Sequence, residues 1–144
     1  MKNPHVAFEQ YLTSHDSRYT PQKQAILDAI CKTRRHFEVE DFIDQFRAKN
    51  NKLSRATVYR TIKQLLDAGL LQKITTLDGK VYYERSTDDV QHDHLICKMC
   101  GSITEIQEPI IDQYLQKFCD AKAFTPEYRS LHIYGICKKC RGKK

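Results

Sequence analysis

The sequence lacks any apolar run long enough to span a membrane, so we expect no membrane-embedded segment. Residues 1–12 carry the charged Lys2 and Glu9 and contain no apolar stretch of the kind that marks a secretory signal peptide. Internal repeats and low-complexity tracts are also missing. These absences favour a cytoplasmic protein, in which a reducing environment keeps cysteines from forming disulfides.

The composition predicts a folded chain with a polyanionic partner. With 144 residues, 40% hydrophobic and 29% charged, the chain suffices for one ordinary domain or two small ones with thin cores. A net charge of +6 and a pI near 9.0 make nucleic acid the first candidate partner, with a generic basic surface as the alternative.

Four of the six cysteines form two Cys-x-x-Cys pairs. Each pair can supply two thiolates to one ion, and four thiolates complete the tetrahedral shell of Zn²⁺ without leaving a position open for substrate. A thioredoxin-like redox centre is the rival, but it needs a single such motif at the start of a helix. We therefore predict a structural zinc site. Its ligands would be Cys97, Cys100, Cys137 and Cys140.

The first half of the chain is typical of a winged helix-turn-helix, predicted over residues 1–84. Apolar periodicity and capping residues indicate helices followed by two short β-rich runs around Asp78-Gly79, which together make a hairpin. The last helix, about 54–68, carries Arg55 and Tyr59 on a face away from its apolar positions and would be the recognition helix. An unspecialised small α/β domain is the alternative.

The second half is predicted as a separate α/β domain over residues 92–144, joined by a polar hinge at 85–91. Strands are expected at 94–97, 102–106 and 128–137, with an amphipathic helix at 110–121. Because this half has few apolar residues, zinc and a partner subunit would be needed to complete it. The fold class is therefore α+β.

A second candidate metal site is rich in nitrogen and oxygen. His92 and His94 lie two apart on an extended segment, so both imidazoles face the same side. Candidate co-ligands are His36, Glu84 and Glu105. An ion held by all five would fasten the two halves across the hinge and act as a switch. This donor set suits Fe²⁺, Mn²⁺, Co²⁺ or Zn²⁺.

Two other classes of function compete with a metal-dependent switch. A zinc-dependent hydrolase or deaminase could use the His-x-His site with Glu105 as base, but the chain contains no deaminase or zincin motif. A purely structural zinc-binding module is the third possibility. We therefore do not expect an enzyme.

Several motifs together resemble the ferric uptake regulator family of bacterial metalloregulators, over nearly the whole chain. They are Thr20-Pro21-Gln22, Ala56-Thr57-Val58-Tyr59-Arg60, His92-Asp93-His94-Leu95-Ile96-Cys97, Cys100-Gly101 and Tyr134-Gly135-Ile136-Cys137. The resemblance implies a homodimer with winged-helix DNA-binding domains and α/β dimerisation domains. It also implies a metal-dependent repressor of palindromic operators in double-stranded DNA.

The resemblance assigns roles to individual residues. It implies the same structural zinc ligands and a regulatory site of His36, Glu84, His92, His94 and Glu105. Some relatives have a further metal site with two histidines, but Gln91 and Arg129 occupy those positions here. Of the residues expected to contact DNA, Tyr59 would touch thymine methyls, and the arginines and the lysine would reach phosphates, guanine edges or the minor groove. They are Arg18, Lys23, Arg55, Thr57, Tyr59 and Arg60.

Two positions favour iron as the regulatory metal. The iron-responsive branch of the family is similar to this chain in Tyr59-Arg60 and in Glu105, whereas peroxide sensors usually carry asparagine after that tyrosine and aspartate at the position of Glu105. Zinc-responsive members often use a cysteine in the regulatory site, and none lies between Cys31 and Cys97. The expected order is Fe²⁺, then a peroxide-sensing iron site, then a zinc- or manganese-responsive one.

Overall fold

The computed structural model describes residues 3–33, 36–49, 52–86, 93–126 and 129–143. The chain divides into two compact units, one made of Met1–Thr75 with Gly79–Asp88 and the other of Thr76–Asp78 with Asp89–Lys144. Most of the predicted hinge at 85–91 falls outside the described residues. Within the described ranges, every helix is too short or too polar to cross a lipid bilayer.

The described residues of the first unit form four helices followed by an antiparallel hairpin, in the order predicted for a winged helix-turn-helix. In the hairpin, Leu71 lies opposite Arg85 and Thr75 opposite Val81. Gly79 has a φ of +84°, which the tight connection requires and which residues with a Cβ rarely adopt. The elements are α1 (Pro4–Ser14), α2 (Pro21–Lys32), α3 (Val39–Ala48), α4 (Arg55–Asp67), β1 (Leu71–Thr75) and β2 (Val81–Arg85).

Local capping residues fix where the helices α2 and α4 begin. The Thr20 hydroxyl accepts a hydrogen bond from the Lys23 N–H at 3.4 Å, and Pro21 occupies the first helical position. The Ser54 hydroxyl accepts from the Thr57 N–H at 3.1 Å. Each cap gives a partner to a backbone N–H of the first turn that the helix itself leaves unsatisfied.

Helix α4 packs its apolar side chains into the core of the first unit, so its polar face is exposed. Apolar residues spaced three and four apart turn to the interior from each helix, as in an amphipathic bundle. The Tyr83 side chain packs against this core from the hairpin. The buried members from the helices include Phe8, Leu12, Ile26, Ile30, Phe42, Ile43, Phe46, Val58, Ile62 and Leu65.

In the part of the second unit that the structure describes, the chain forms a three-stranded sheet and one helix. It contains β3 (Asp93–Cys97), β4 (Ile103–Ile106), α5 (Pro109–Ala121) and β5 (His132–Gly135). The order is β4-β3-β5, with β3 antiparallel to β4 and parallel to β5. The strand predicted at 128–137 is wrong in its extent, because the chain leaves the sheet after Gly135 to enter the second cysteine pair. The α+β fold class itself is confirmed.

Candidate metal centres and nucleic-acid interface

The four cysteines of the two Cys-x-x-Cys pairs come together at one end of the second unit. Cys97 ends β3 and lies opposite Gly135 on the parallel strand β5, so both pairs follow neighbouring strand ends. Their four sulfur atoms all lie within 4.8 Å of one another, and Cys100 Sγ is 3.7 Å from Cys137 Sγ. Ligands about 2.3 Å from a tetrahedral zinc ion are themselves about 3.8 Å apart, so the cluster fits structural zinc.

Hydrogen bonds in this cluster prepare thiolates for a cation. The Cys137 backbone N–H lies 3.3 Å from Cys97 Sγ and is the main reason that the pKa of Cys97 falls to about 6. The Ser102 hydroxyl, 3.2 Å from Cys100 Sγ, lowers the pKa of Cys100. The pKa of Cys140 rises to about 12, chiefly through its contact with Cys137. Because metal ligands must be thiolates, a divalent cation that binds the four cysteines releases the protons that their thiols hold.

In the first unit, the structure brings His36 and Glu84 together. Phe37 and Tyr83 exchange two backbone hydrogen bonds of 2.8 Å, and this bridge places His36 beside Glu84 on β2. His36 Nδ1 lies 3.8 Å from Glu84 Oε2, with side chains 18% and 7% exposed. Among the described residues, this buried Nδ1 has no hydrogen-bond partner. The two atoms are too far apart for a hydrogen bond, and both are sheltered. This arrangement would allow the imidazole nitrogen and the carboxylate oxygen to bind one cation together.

In the second unit, the structure places His94 and Glu105 opposite each other on β3 and β4. His94 is buried, with 1% of its surface exposed, whereas Glu105 is exposed. His92 lies outside the described residues. The five predicted regulatory ligands thus include one close pair in the first unit and one cross-strand pair in the second.

His132 is a residue that the sequence analysis did not single out. On the parallel strand β5 it lies opposite His94, and the two imidazole rings meet edge to face with centroids 5.5 Å apart. Its Nε2 is 3.0 Å from the Ser130 hydroxyl. His132 precedes Gly135 by the same three residues that separate His94 from Cys97, so pairing the two strands at the cysteine motifs would have found it.

The polar face of α4 presents the predicted DNA-contacting side chains unequally. Arg55, Tyr59 and Arg60 are exposed. Thr57 is half-buried, with its hydroxyl 2.8 Å from that of Ser54. Its side chain therefore belongs to the helix cap.

The other two predicted contacts lie at the start of α2. Arg18 is exposed and precedes the helix, whereas Lys23 is half-buried. Lys23 Nζ donates to the Ser17 hydroxyl at 2.8 Å and to the Arg18 carbonyl at 3.0 Å, which holds this segment against the helix. Burial, and then the nearby Arg60, lower the pKa of Lys23. Lys23 thus positions Arg18 in addition to carrying its own charge.

Glu40 on α3 is a second residue that the sequence analysis missed. Its carboxylate accepts hydrogen bonds from the Tyr59 hydroxyl and the Arg55 guanidinium, so it orients both side chains on the outer face of α4. The hydrogen bond from Tyr59 is the main cause that lowers the pKa of Glu40, and the same bond raises the pKa of Tyr59. An interaction between residues 15 and 19 positions apart leaves no local sequence signal.

The model of the ferric uptake regulator family matches residues 14–134 of the chain. This protein belongs to the ferric uptake regulator family. Members of the family are transcriptional regulators and not enzymes, which counts against the hydrolase or deaminase alternative. The function predicted from the sequence, a metal-responsive transcriptional repressor, is confirmed at the level of the family.

Relatives of this family member include both iron and peroxide regulators. The ferric uptake regulation protein of Bordetella parapertussis is 36% identical over 117 residues, covering 81% of this chain and 84% of that protein. The peroxide operon regulator of Bacillus subtilis is 31% identical over 127 residues, covering 88% of this chain and 86% of that protein. The structure of the ferric uptake regulator of Francisella tularensis with iron aligns with a TM-score of 0.69 at 29% identity. The alignment covers 86% of this chain and 94% of that one.

Proposed function

We propose that this family member is an iron-dependent repressor that binds palindromic operator DNA as a homodimer in the cytoplasm. The observation that carries the proposal is the sheltered pair of His36 and Glu84, with its imidazole nitrogen directed at a carboxylate. These nitrogen and oxygen donors suit Fe²⁺, Mn²⁺, Co²⁺ or Zn²⁺. We favour Fe²⁺ because Tyr59-Arg60 and Glu105 are similar to the iron-responsive branch of the family. Zn²⁺ at the four cysteines has a separate, structural role.

Binding of Fe²⁺ couples to DNA affinity if both units contribute ligands. We propose that His36 and Glu84 of the first unit share one ion with His92, His94 and Glu105 of the second. Such an ion favours a single arrangement of the units over all others, because only that arrangement satisfies both sets of ligands. In a dimer, the favoured arrangement sets the spacing of the two α4 helices to match successive major grooves. Mn²⁺ or Zn²⁺ can occupy the same donors with different geometry.

The exposed apolar side chains of α5 support the homodimer. Ile110, Tyr114 and Phe118 recur every four residues on one side of the helix and are 73%, 70% and 56% exposed. On the sheet, Leu95 and Ile133 lie opposite each other and are also exposed. Apolar patches of this extent mark interaction surfaces. A second copy of the chain is the occupant we propose, because a two-fold interface pairs the same patch with itself.

The proposal is tested by measuring operator affinity as metals are added to the zinc-loaded protein without oxygen. Anisotropy of a labelled palindromic operator should report tighter binding when Fe²⁺ is added, by about 5- to 150-fold, the usual range of allosteric coupling. Mn²⁺ and Zn²⁺ serve as competing effectors. Equal affinity with and without every metal would leave a constitutive DNA binder and overturn the proposal.

Peroxide sensing is the second candidate function, and the similarity to the peroxide operon regulator of Bacillus subtilis favours it. In that case, H₂O₂ added to the iron-loaded protein should release it from the operator. The peptide containing His36 or His92 should then gain the mass of oxygen. Release without any mass gain would instead indicate simple loss of the iron.

Replacing Arg60 by alanine tests which side chain of α4 reads the DNA sequence. If Arg60 contacts a base edge, Arg60→Ala should weaken the free energy of binding to the operator by about 1–3 kcal/mol and that to random DNA by much less. Lys63→Ala is the matched control, because Lys63 is an exposed cation of the same helix, 3.4 Å from Asp67. Lys63→Ala should weaken binding to the operator and to random DNA equally, and it should reduce the salt dependence of binding. Equal losses on both DNAs for Arg60→Ala would refute base reading by Arg60.

A further inference from the structure

Arg129 connects two aspartates of the second unit. Its Nη2 lies 2.8 Å from Asp93 Oδ2 and 2.6 Å from Asp112 Oδ1. Asp93 begins β3, Asp112 lies in the first turn of α5, and Arg129 precedes β5. One guanidinium thus joins the central strand, the helix and the approach to the edge strand.

The burial of Asp93 explains why a cation is needed at this point. Its side chain is 3% exposed and that of Arg129 is 18% exposed. A carboxylate sheltered to this degree is strongly destabilising unless a cation accompanies it. Arginine supplies a charge that is not lost by deprotonation or by release into solution, as the charge of a bound metal ion can be.

Among the described residues, few side chains shelter helix α5. None of its residues is fully buried, and only Ile111, Leu115 and Cys119 on its inner side are half-buried. Its largest apolar side chains lie on a neighbouring side of the helix that is exposed. Asp112 therefore provides a directional attachment, and its place in the first turn also suits the positive end of the helix dipole.

We propose that Arg129 is the positioning residue for the dimer surface. Held by Asp93, its guanidinium fixes α5 through Asp112, so that Ile110, Tyr114 and Phe118 face a second subunit at a set angle. The attachment contains no exchangeable ion, so subunit association does not depend on the regulatory metal. This inference rests on the homodimer proposed above.

The test is the dimer dissociation constant of Asp112→Asn, measured by sedimentation equilibrium of the full zinc-loaded chain. Asp112 is 53% exposed, so this change breaks the attachment of α5 without leaving a buried charge. We expect the dissociation constant to rise about threefold to tenfold, with zinc content and circular dichroism unchanged. Asp112→Glu, which keeps the carboxylate, should restore most of the affinity.

Asp120→Asn is the matched control, because Asp120 is an exposed carboxylate of the same helix that accepts a hydrogen bond from Gln116 at 2.8 Å. It should leave the dissociation constant unchanged. In an Arg129→Gln background, Asp112→Asn should have no further effect, since the two residues act through one contact.

The possible failures are distinguishable. A wild-type chain that is monomeric at every concentration would overturn the proposed homodimer itself. A wild-type dimer that Asp112→Asn leaves intact would overturn the role of Arg129 and leave the homodimer standing. A wild-type dimer tightened by Fe²⁺ or Mn²⁺ would overturn the independence from metal.

Discussion

Replacing Cys97 by serine should abolish zinc binding and unfold the second unit, while the first unit stays folded. The apolar side chains fully buried in the second unit, among the residues described, are Ile96 and two of the zinc-site cysteines, Cys97 and Cys140. So small a core cannot offset the entropy of ordering the chain. Structural zinc contributes about 10–16 kcal/mol of apparent binding free energy in small zinc domains, and here it takes the place of a core.

The expected measurements for Cys97→Ser are the loss of bound zinc, a partial loss of circular dichroism and a fall of operator affinity to the level of random DNA. Cys119→Ser is the control, because Cys119 is a half-buried thiol of α5 that lies outside the zinc cluster. It should keep its zinc and its operator affinity. A Cys97→Ser protein that remains folded and dimeric would show that packing, and not zinc, holds the second unit together.

Replacing Glu84 by glutamine should remove the metal response of DNA binding and leave metal-free binding unchanged. Glutamine preserves the size of the side chain and a polar partner for Gln72, which donates a hydrogen bond to Glu84 Oε1. It removes the anionic oxygen that faces His36. A hard divalent cation binds a neutral amide oxygen much more weakly than a carboxylate.

In the operator titration, the gain of about 5- to 150-fold expected for the wild type should shrink to nearly onefold in Glu84→Gln. Glu38→Gln serves as the control, since Glu38 is a half-buried glutamate whose side chain makes no cap hydrogen bond at the start of α3. It should respond to metal as the wild type does. A full metal response in Glu84→Gln would remove Glu84 from the regulatory site.

The features predictable from the sequence are those encoded by neighbouring residues. Thr20-Pro21 and Ser54 marked the starts of α2 and α4, since a cap and the helix it begins lie within one turn. The Cys-x-x-Cys spacing of the two cysteine pairs indicated that they bind one shared ion. At the end of β5, where the boundary depends on the turn into the second cysteine pair, the apolar pattern of residues 128–137 overestimated the strand.

The features that the sequence did not reveal depend on contacts between distant positions. Glu40 meets Tyr59 only because α3 and α4 pack together, and His132 meets His94 only because β5 pairs with β3 in one register. Arg129 could be recognised as a substitution at a histidine position, but its two aspartate partners became visible only in the folded sheet. The spacing of charged residues along the sequence does not indicate which distant residues they contact in the fold.

The parallel pairing of β3 with β5 also has a kinetic consequence. The second unit cannot close its sheet or complete its thiolate cluster until Cys137 and Cys140, near the end of the sequence, have been synthesised. The helices of the first unit and their hairpin need only residues that emerge earlier from the ribosome. During translation, a nascent chain therefore acquires the fold that carries α4 before it can bind zinc or meet a second subunit.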